Sequence, residues 1–213
     1  MLLELRKLTV PSGERVLLSH ISWQDYEQIL AELGEHRASR ISYNNGILEI
    51  ITPLFLHENS KVLIGDFVKI LLDELELDYE PAGSTTLKKE TVAQGVEPDE
   101  SFYIKNCQAI RGKERIDLTM NPPPDLAIEI DITSRTSLEN YALLEIPELW
   151  RYNGKLLQIY VLQSGQYVEV SFSPTFPNFD LVQKVPEFLK QSQTIGSAKV
   201  LRAFRRWVRE NSN

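Results

Sequence analysis

The chain has 213 residues, a formal net charge of −7, 42% hydrophobic and 25% charged residues, and a single cysteine. That is the composition of an ordinary soluble globular protein, long enough for one good core with room for a second domain. It excludes a surface that grips nucleic acid everywhere, a disulfide framework and a zinc site built on several cysteines, while leaving a local basic patch open. Cys107 reads as a packing residue or an inert surface thiol. No apolar run has the length to span a bilayer and the N-terminus lacks a signal-peptide pattern, so the expectation is a cytoplasmic protein without membrane contact.

In chain order, Val10-Pro11-Ser12-Gly13 reads as a turn and Arg15–Leu18 as a short extended piece. Ser22 with Asp25 resembles a capping box. The helix it opens carries Trp23, Tyr26, Ile29, Leu30 and Leu33 on one stripe and stops at Gly34. Asn44-Asn45-Gly46 between two alternating runs signals a hairpin. In its second strand Glu49 shares a face with Ile47 and Ile51. Two readings stand: a half-buried Glu that needs a partner, or an edge strand whose Glu reaches solvent. Pro53 ends the strand, and residues 57–77 read as the longest helix, with Val62, Leu63, Phe67, Ile70, Leu71 and Leu75 on its apolar face. His57 and Glu58 stand at its start, and the late acids Asp73, Glu74 and Glu76 read as solvated.

Residues 78–81 and 84–87 read as short extended segments around an Ala82-Gly83 turn. Pro98 favours an extended approach to Asp99, which opens a strand alternating Ser101 and Tyr103 with Phe102 and Ile104. Residues 105–121 read as a polar surface excursion. Residues 124–134 then alternate strictly. Leu126, Ile128, Ile130 and Ile132 fall on one side, and Asp125, Ala127, Glu129, Asp131 and Thr133 on the other. The apolar side belongs on a core. The other side carries three carboxylates and no base, spaced about 6.5–7 Å apart in an extended strand. Such a row suits a hard cation such as Mg2+, which takes carboxylate oxygens; its alternative is a polar strand face.

Further on, residues 137–145 read as a short helix, residues 149–152 as a strand, Asn153-Gly154 as a hairpin turn, and residues 155–162 and 167–172 as two further antiparallel strands. Residues 185–191 and 198–209 read as helices. The last packs Val200, Leu201, Phe204, Trp207 and Val208 inward and presents Lys199, Arg202, Arg205, Arg206 and Arg209 elsewhere. That basic face is either an ordinary solvated one or a phosphate-contacting surface.

The order of these pieces is distinctive. A hairpin carries Glu49, His57 opens a long helix, Glu97-Pro98-Asp99 opens a strand, Pro124-Asp125 leads to Glu129-Ile130, and Ile146-Pro147-Glu148-Leu149-Trp150 precedes a hairpin. This resembles the Uma family of predicted restriction endonucleases, common in cyanobacteria, within the PD-(D/E)XK restriction-endonuclease-like superfamily. The resemblance extends over nearly the whole chain. It implies an α/β, restriction-endonuclease-like fold with a mixed central β-sheet flanked by helices, in one domain over residues 1–213, with a core of residues 15–172 and C-terminal helices in 180–210. It implies a metal-dependent endonuclease hydrolysing DNA phosphodiester bonds with Mg2+, or Mn2+. Asp99 would match the first acid of the superfamily motif and Glu129 the second, both as metal ligands. Asp131 is a possible third ligand, with Glu49 and His57 in support.

The superfamily usually places a lysine two residues after the second acid, and here that position is Asp131. The helix over 137–145, where relatives often carry a lysine instead, has none; Lys88 and Lys89 are the candidates to reach in. The alternative function is therefore a catalytically degenerate module that keeps the nuclease fold and binds nucleic acid or a protein partner. A glycosidase built on two carboxylates has little support, because no aromatic sugar platform accompanies the acids. A homodimer fits the cutting of two strands only by analogy of fold.

Overall fold

A computed structural model describes residues 9–34, 39–52, 54–132 and 137–212. Pro53, Thr133 and Ser134 lie outside the described residues. In chain order the elements are β1 (Arg15–Leu18), α1 (Trp23–Leu33), β2 (Arg40–Asn44), β3 (Ile47–Ile51), α2 (Phe55–Glu74), β4 (Glu80–Pro81), β5 (Leu87–Lys89) and β6 (Gln94–Val96). There follow β7 (Glu100–Tyr103), α3 (Cys107–Ile110), β8 (Leu126–Ile130), α4 (Leu138–Leu143), β9 (Glu148–Tyr152), β10 (Leu157–Gln163), β11 (Gln166–Val170), α5 (Leu181–Ile195) and α6 (Ser197–Asn211).

The class is mixed α/β, as expected. The strands are shared between two sheets rather than gathered into one. An antiparallel sheet runs β1-β3-β2-β6-β5, and a mixed sheet runs β11-β10-β9-β8-β7-β4, its one parallel pair being β8 with β9. A parallel pair needs a crossover, and α4 lies in it.

Local chemistry explains the elements that sequence pattern identifies. The Ser22 hydroxyl accepts from the Asp25 N–H at 3.1 Å while the Asp25 carboxylate accepts from the Ser22 N–H at 3.3 Å, a complete capping box. Asn45 and Gly46 both take positive φ, which a tight hairpin turn of this hand requires. Helix α1 lays Tyr26 and Ile29 on Ile41, Tyr43, Leu48 and Ile50 of the first sheet, with the Tyr26 and Tyr43 rings stacked 4.6 Å apart.

Helix α2 packs on the second sheet together with α5 and α6. Ile64, Phe67, Val68, Leu71 and Leu72 meet Phe102, Leu126, Ile128 and Ile130. The buried stripe is rotated from the expected one: Val62 is 52% exposed, while Ile64, Val68 and Leu72 are buried. Asp73 and Glu74 are not merely solvated. Arg205 reaches Asp73 at 2.6 Å and Glu74 at 2.5 Å, and Arg209 reaches Glu74 at 2.7 Å. Two of the five cations on the last helix are thus spent on joining α6 to α2.

Strand β8 is buried on both faces. Its aliphatic side enters the core under α2, and Ala127 enters a second core with Tyr141, Leu144, Ile146, Leu149 and the first sheet's Leu87 and Val96. The acidic side is therefore covered by α4 and the first sheet, not open to bulk water. Asp125, at the strand's start, accepts from the Ile104 N–H (2.7 Å), the Asn106 N–H (3.1 Å) and Asn106 Nδ2 (3.1 Å). It ties down the polar excursion, which also holds the short helix α3 and buries Cys107.

Candidate active site

Asp99 sits just before β7. Its N–H bonds the Ile128 carbonyl at 3.0 Å, although Ile128 is the register partner of Glu100. The strand thus begins with one residue out of step, a bulge-like start that re-aims the side chain. The fully buried carboxylate folds back onto β8, where Oδ2 accepts from the Ile130 N–H at 2.6 Å. Oδ1 faces His57 Nε2 at 3.3 Å and touches Arg40 Nη1, yet it makes no aligned hydrogen bond.

Glu129 projects from the adjacent strand on the Ala127 side. It accepts from the Tyr141 hydroxyl of α4. Burial is the main cause that lifts its pKa to about 7, with repulsion from Asp131 adding to it and the Tyr141 hydrogen bond and the Arg40 charge pulling the other way. Arg40 is therefore shared: it contacts one carboxylate and lies within electrostatic reach of the other. It comes from β2, whose Ile41 and Tyr43 face α1 while Arg40, Ser42 and Asn44 face the second sheet. Asn44 and Ser42 fix this approach by hydrogen bonds with Asn140 of α4, at 2.8 and 3.2 Å.

His57, in the first turn of α2, is buried between carboxylates. Nε2 faces Asp99, and Nδ1 faces Glu58 at 3.3 Å. Burial first, then the Arg40 charge, lowers its pKa to about 4, so the ring is neutral near pH 7. A neutral ring has one N–H. Each ring nitrogen faces one carboxylate, Nε2 toward Asp99 and Nδ1 toward Glu58, so either can carry that proton. One turn on, Lys61 lies 3.8 Å from Glu58, and burial lowers its pKa also.

Asp99 and His57 are thus brought together, and Glu129 lies within reach of the Arg40 charge that touches Asp99. Asp131 is close enough to repel Glu129, but its carboxylate is held by Arg151 Nε at 2.6 Å and Nη2 at 2.5 Å, in a pair that is almost wholly buried. Glu49 lies on the first sheet opposite Ser42 and pairs with Arg15 at 3.2 Å. The half-buried reading of Glu49 holds and the edge-strand reading does not: β3 lies between β1 and β2, and the carboxylate is largely covered, with Arg15 as its partner. Lys88 is bound to Glu27 at 2.6 Å and Lys89 to Glu145 at 2.8 Å, so neither reaches in. Among the described residues, no group of three or more His, Cys, Asp or Glu side chains is arranged to hold a metal ion.

Arg40, Tyr141 and Lys61 were not singled out from sequence. Arg40 had a usable signal, because Arg40, Ser42 and Asn44 form a polar row alternating with Ile41 and Tyr43 in a hairpin strand. Tyr141 and Lys61 had none, since each looks like an ordinary helix residue.

A family model, Uma2, described as "Putative restriction endonuclease", matches residues 23–194. A solved structure described as a "putative nuclease belonging to DUF820" from Anabaena variabilis ATCC 29413 is similar with 15% identity and a TM-score of 0.49, covering 70% of this chain and 90% of that one. No curated protein matches.

Proposed function

The chain belongs to the Uma2 family, and on that premise we propose that it is a divalent-metal-dependent endonuclease that hydrolyses DNA phosphodiester bonds at Asp99 and Glu129. The observation that supports the reading is the meeting of two buried carboxylates from neighbouring strands with one guanidinium shared between them. Asp99 Oδ1, buried without an aligned hydrogen bond, fits a hard cation. Asp99 and Glu129 would hold Mg2+ or Mn2+, which supplies Lewis acidity toward the phosphoryl oxygens and a more acidic bound water.

The chain's own residues do the rest. The Ile130 N–H orients Asp99, and Tyr141 orients Glu129. His57, neutral at pH 7, lies between Asp99 and the half-exposed Glu58, where its ring can take up or pass on a proton. Arg40 and Lys61 provide positive charge for a phosphate from α2 and β2, in place of a lysine on β8. Binding is local, as a net charge of −7 requires. A two-fold dimer suits the cutting of both strands.

The test is calorimetric titration of Mg2+ and Mn2+ into wild type, Asp99→Ala and Glu129→Ala, alongside a plasmid-nicking assay. Metal binding that both variants lose, with nicking lost in step, supports the reading. Wild-type metal binding that survives both substitutions overturns the ligand assignment. The sealing of Asp131 by Arg151 favours a second reading, a catalytically inactive nuclease fold that binds DNA. Its signature is metal-stimulated DNA binding without nicking, with an affinity that falls steeply as salt rises.

A further inference from the structure

We infer that Arg40 is the resident counter-cation of the metal centre. It neutralises Asp99 and Glu129 when no divalent ion is bound, and it moves onto a substrate phosphate when one enters. The inference rests on the proposal that these two carboxylates hold the metal.

Two carboxylates buried on adjacent strands need a counter-charge when ionised, because a buried charge without a partner is destabilising. The protein meets this with one guanidinium. Arg40 Nη1 contacts Asp99 Oδ1, and the Arg40 charge pulls on Glu129. Yet Arg40 is not locked in place. Its Nη2 makes no aligned hydrogen bond, and the next anion along is Glu58 Oε1 at 3.6 Å, on a side chain that is 44% exposed.

That arrangement gives Arg40 a second position. By comparison, Arg151 binds Asp131 through two nitrogens, at 2.6 and 2.5 Å. A divalent cation and a guanidinium cannot share Asp99 Oδ1 without strong mutual repulsion. Ion entry therefore drives the arginine outward, toward Glu58 and the rim. A guanidinium held there is suited to a phosphate, whose oxygens match its fork of donors. This accounts for a site with no lysine two residues beyond Glu129: its positive charge arrives from β2, and its position depends on metal occupancy.

The test uses the full chain as wild type, Arg40→Gln and Arg40→Lys. Mn2+ affinity is measured by calorimetry, and affinity for a short DNA duplex is measured with Ca2+ in place of Mg2+. Arg40→Gln is expected to bind Mn2+ tighter than wild type by at least about tenfold, because the competing charge is gone. It is expected to bind the duplex about tenfold more weakly, because a phosphate contact is lost. Arg40→Lys should fall between for both.

A wild-type readout covers the case in which these variants fold poorly. With 15N-arginine labelling, the guanidinium signal absent from Arg40→Lys should shift on Mg2+ addition in the wild type. Unchanged or weaker Mn2+ binding by Arg40→Gln, an unaltered duplex affinity, or an unmoved Arg40 signal overturns the inference. If Glu129→Ala abolishes Mn2+ binding while Arg40→Gln equals wild type, the metal site stands and only the inference falls. If neither wild type nor Arg40→Gln binds Mn2+, both fall.

Discussion

At the scale of single residues, burial sets two opposed titrations within the candidate site. Glu129 has its pKa raised from 4.5 to about 7 in the folded chain. Folding then takes up a proton, so this group's stabilising contribution is complete below pH 4.5 and is lost as pH rises through about 7. His57 has its pKa lowered from 6.5 to about 4. Its contribution is complete above pH 6.5 and is lost as pH falls through about 4. The two slopes oppose each other between them, which flattens the wild-type profile of the metal-free protein. Glu129→Gln keeps an acceptor for Tyr141 and removes one slope. In EDTA, its urea-derived stability should exceed wild type above pH 7 by on the order of 3 kcal/mol. The gain should vanish by pH 4.5, exposing the His57 slope. A difference that is the same at every pH from 4 to 8 would show that Glu129 ionises normally.

At the scale of elements, the sequence reveals what short-range chemistry decides. The Ser22–Asp25 box, the Asn45-Gly46 turn and the alternation of β8 each act within a few residues, and each is found where expected. What the sequence hides depends on distant partners. Strand β6 is three residues long and exists through its pairing with β2 and β5, where Gly95 leaves room for the Tyr26 ring. Helix α5 runs through Pro186, which breaks the local pattern, and the burial of Leu181, Val185, Phe188 and Leu189 holds it together. The acidic row of β8 shows the limit most clearly. Spacing places Asp125, Glu129 and Asp131 on one side, but the structure gives them three different partners: a loop backbone, a tyrosine and an arginine. Hence Asp125→Ala should lower stability by about 2–4 kcal/mol, because it orphans the N–H groups of Ile104 and Asn106. Its Mn2+ affinity should remain that of wild type. Loss of metal binding in a variant that still melts cooperatively would place Asp125 in the site.

At the scale of the whole molecule, the candidate site lies where the two sheets meet. Asp99 immediately precedes β7 and Glu129 lies on β8 of the second sheet, and Arg40 belongs to the first sheet's β2. The same seam holds the Asn44–Asn140–Ser42 hydrogen bonds and the core shared by Leu87, Val96, Ala127 and Leu149. It also holds Glu97, which accepts from the Ile41 N–H at 3.0 Å and the Thr86 hydroxyl at 2.7 Å. Separating the sheets would strip partners from buried carboxylates as well as expose apolar surface, so each sheet depends on the other. We therefore propose that residues 1–213 fold as one unit. The tryptophans give each side its own reporter, because Trp23 packs beside Tyr26 and Tyr43 on the first sheet, while Trp150 and Trp207 pack in the core under α2. Fluorescence of a Trp23-only variant and of a Trp150-only variant should give coincident urea midpoints, equal to the midpoint of far-ultraviolet circular dichroism on the same protein. Midpoints that separate within one variant would mean that the sheets unfold independently. In that case Arg40 could be carried away from Asp99 without global unfolding.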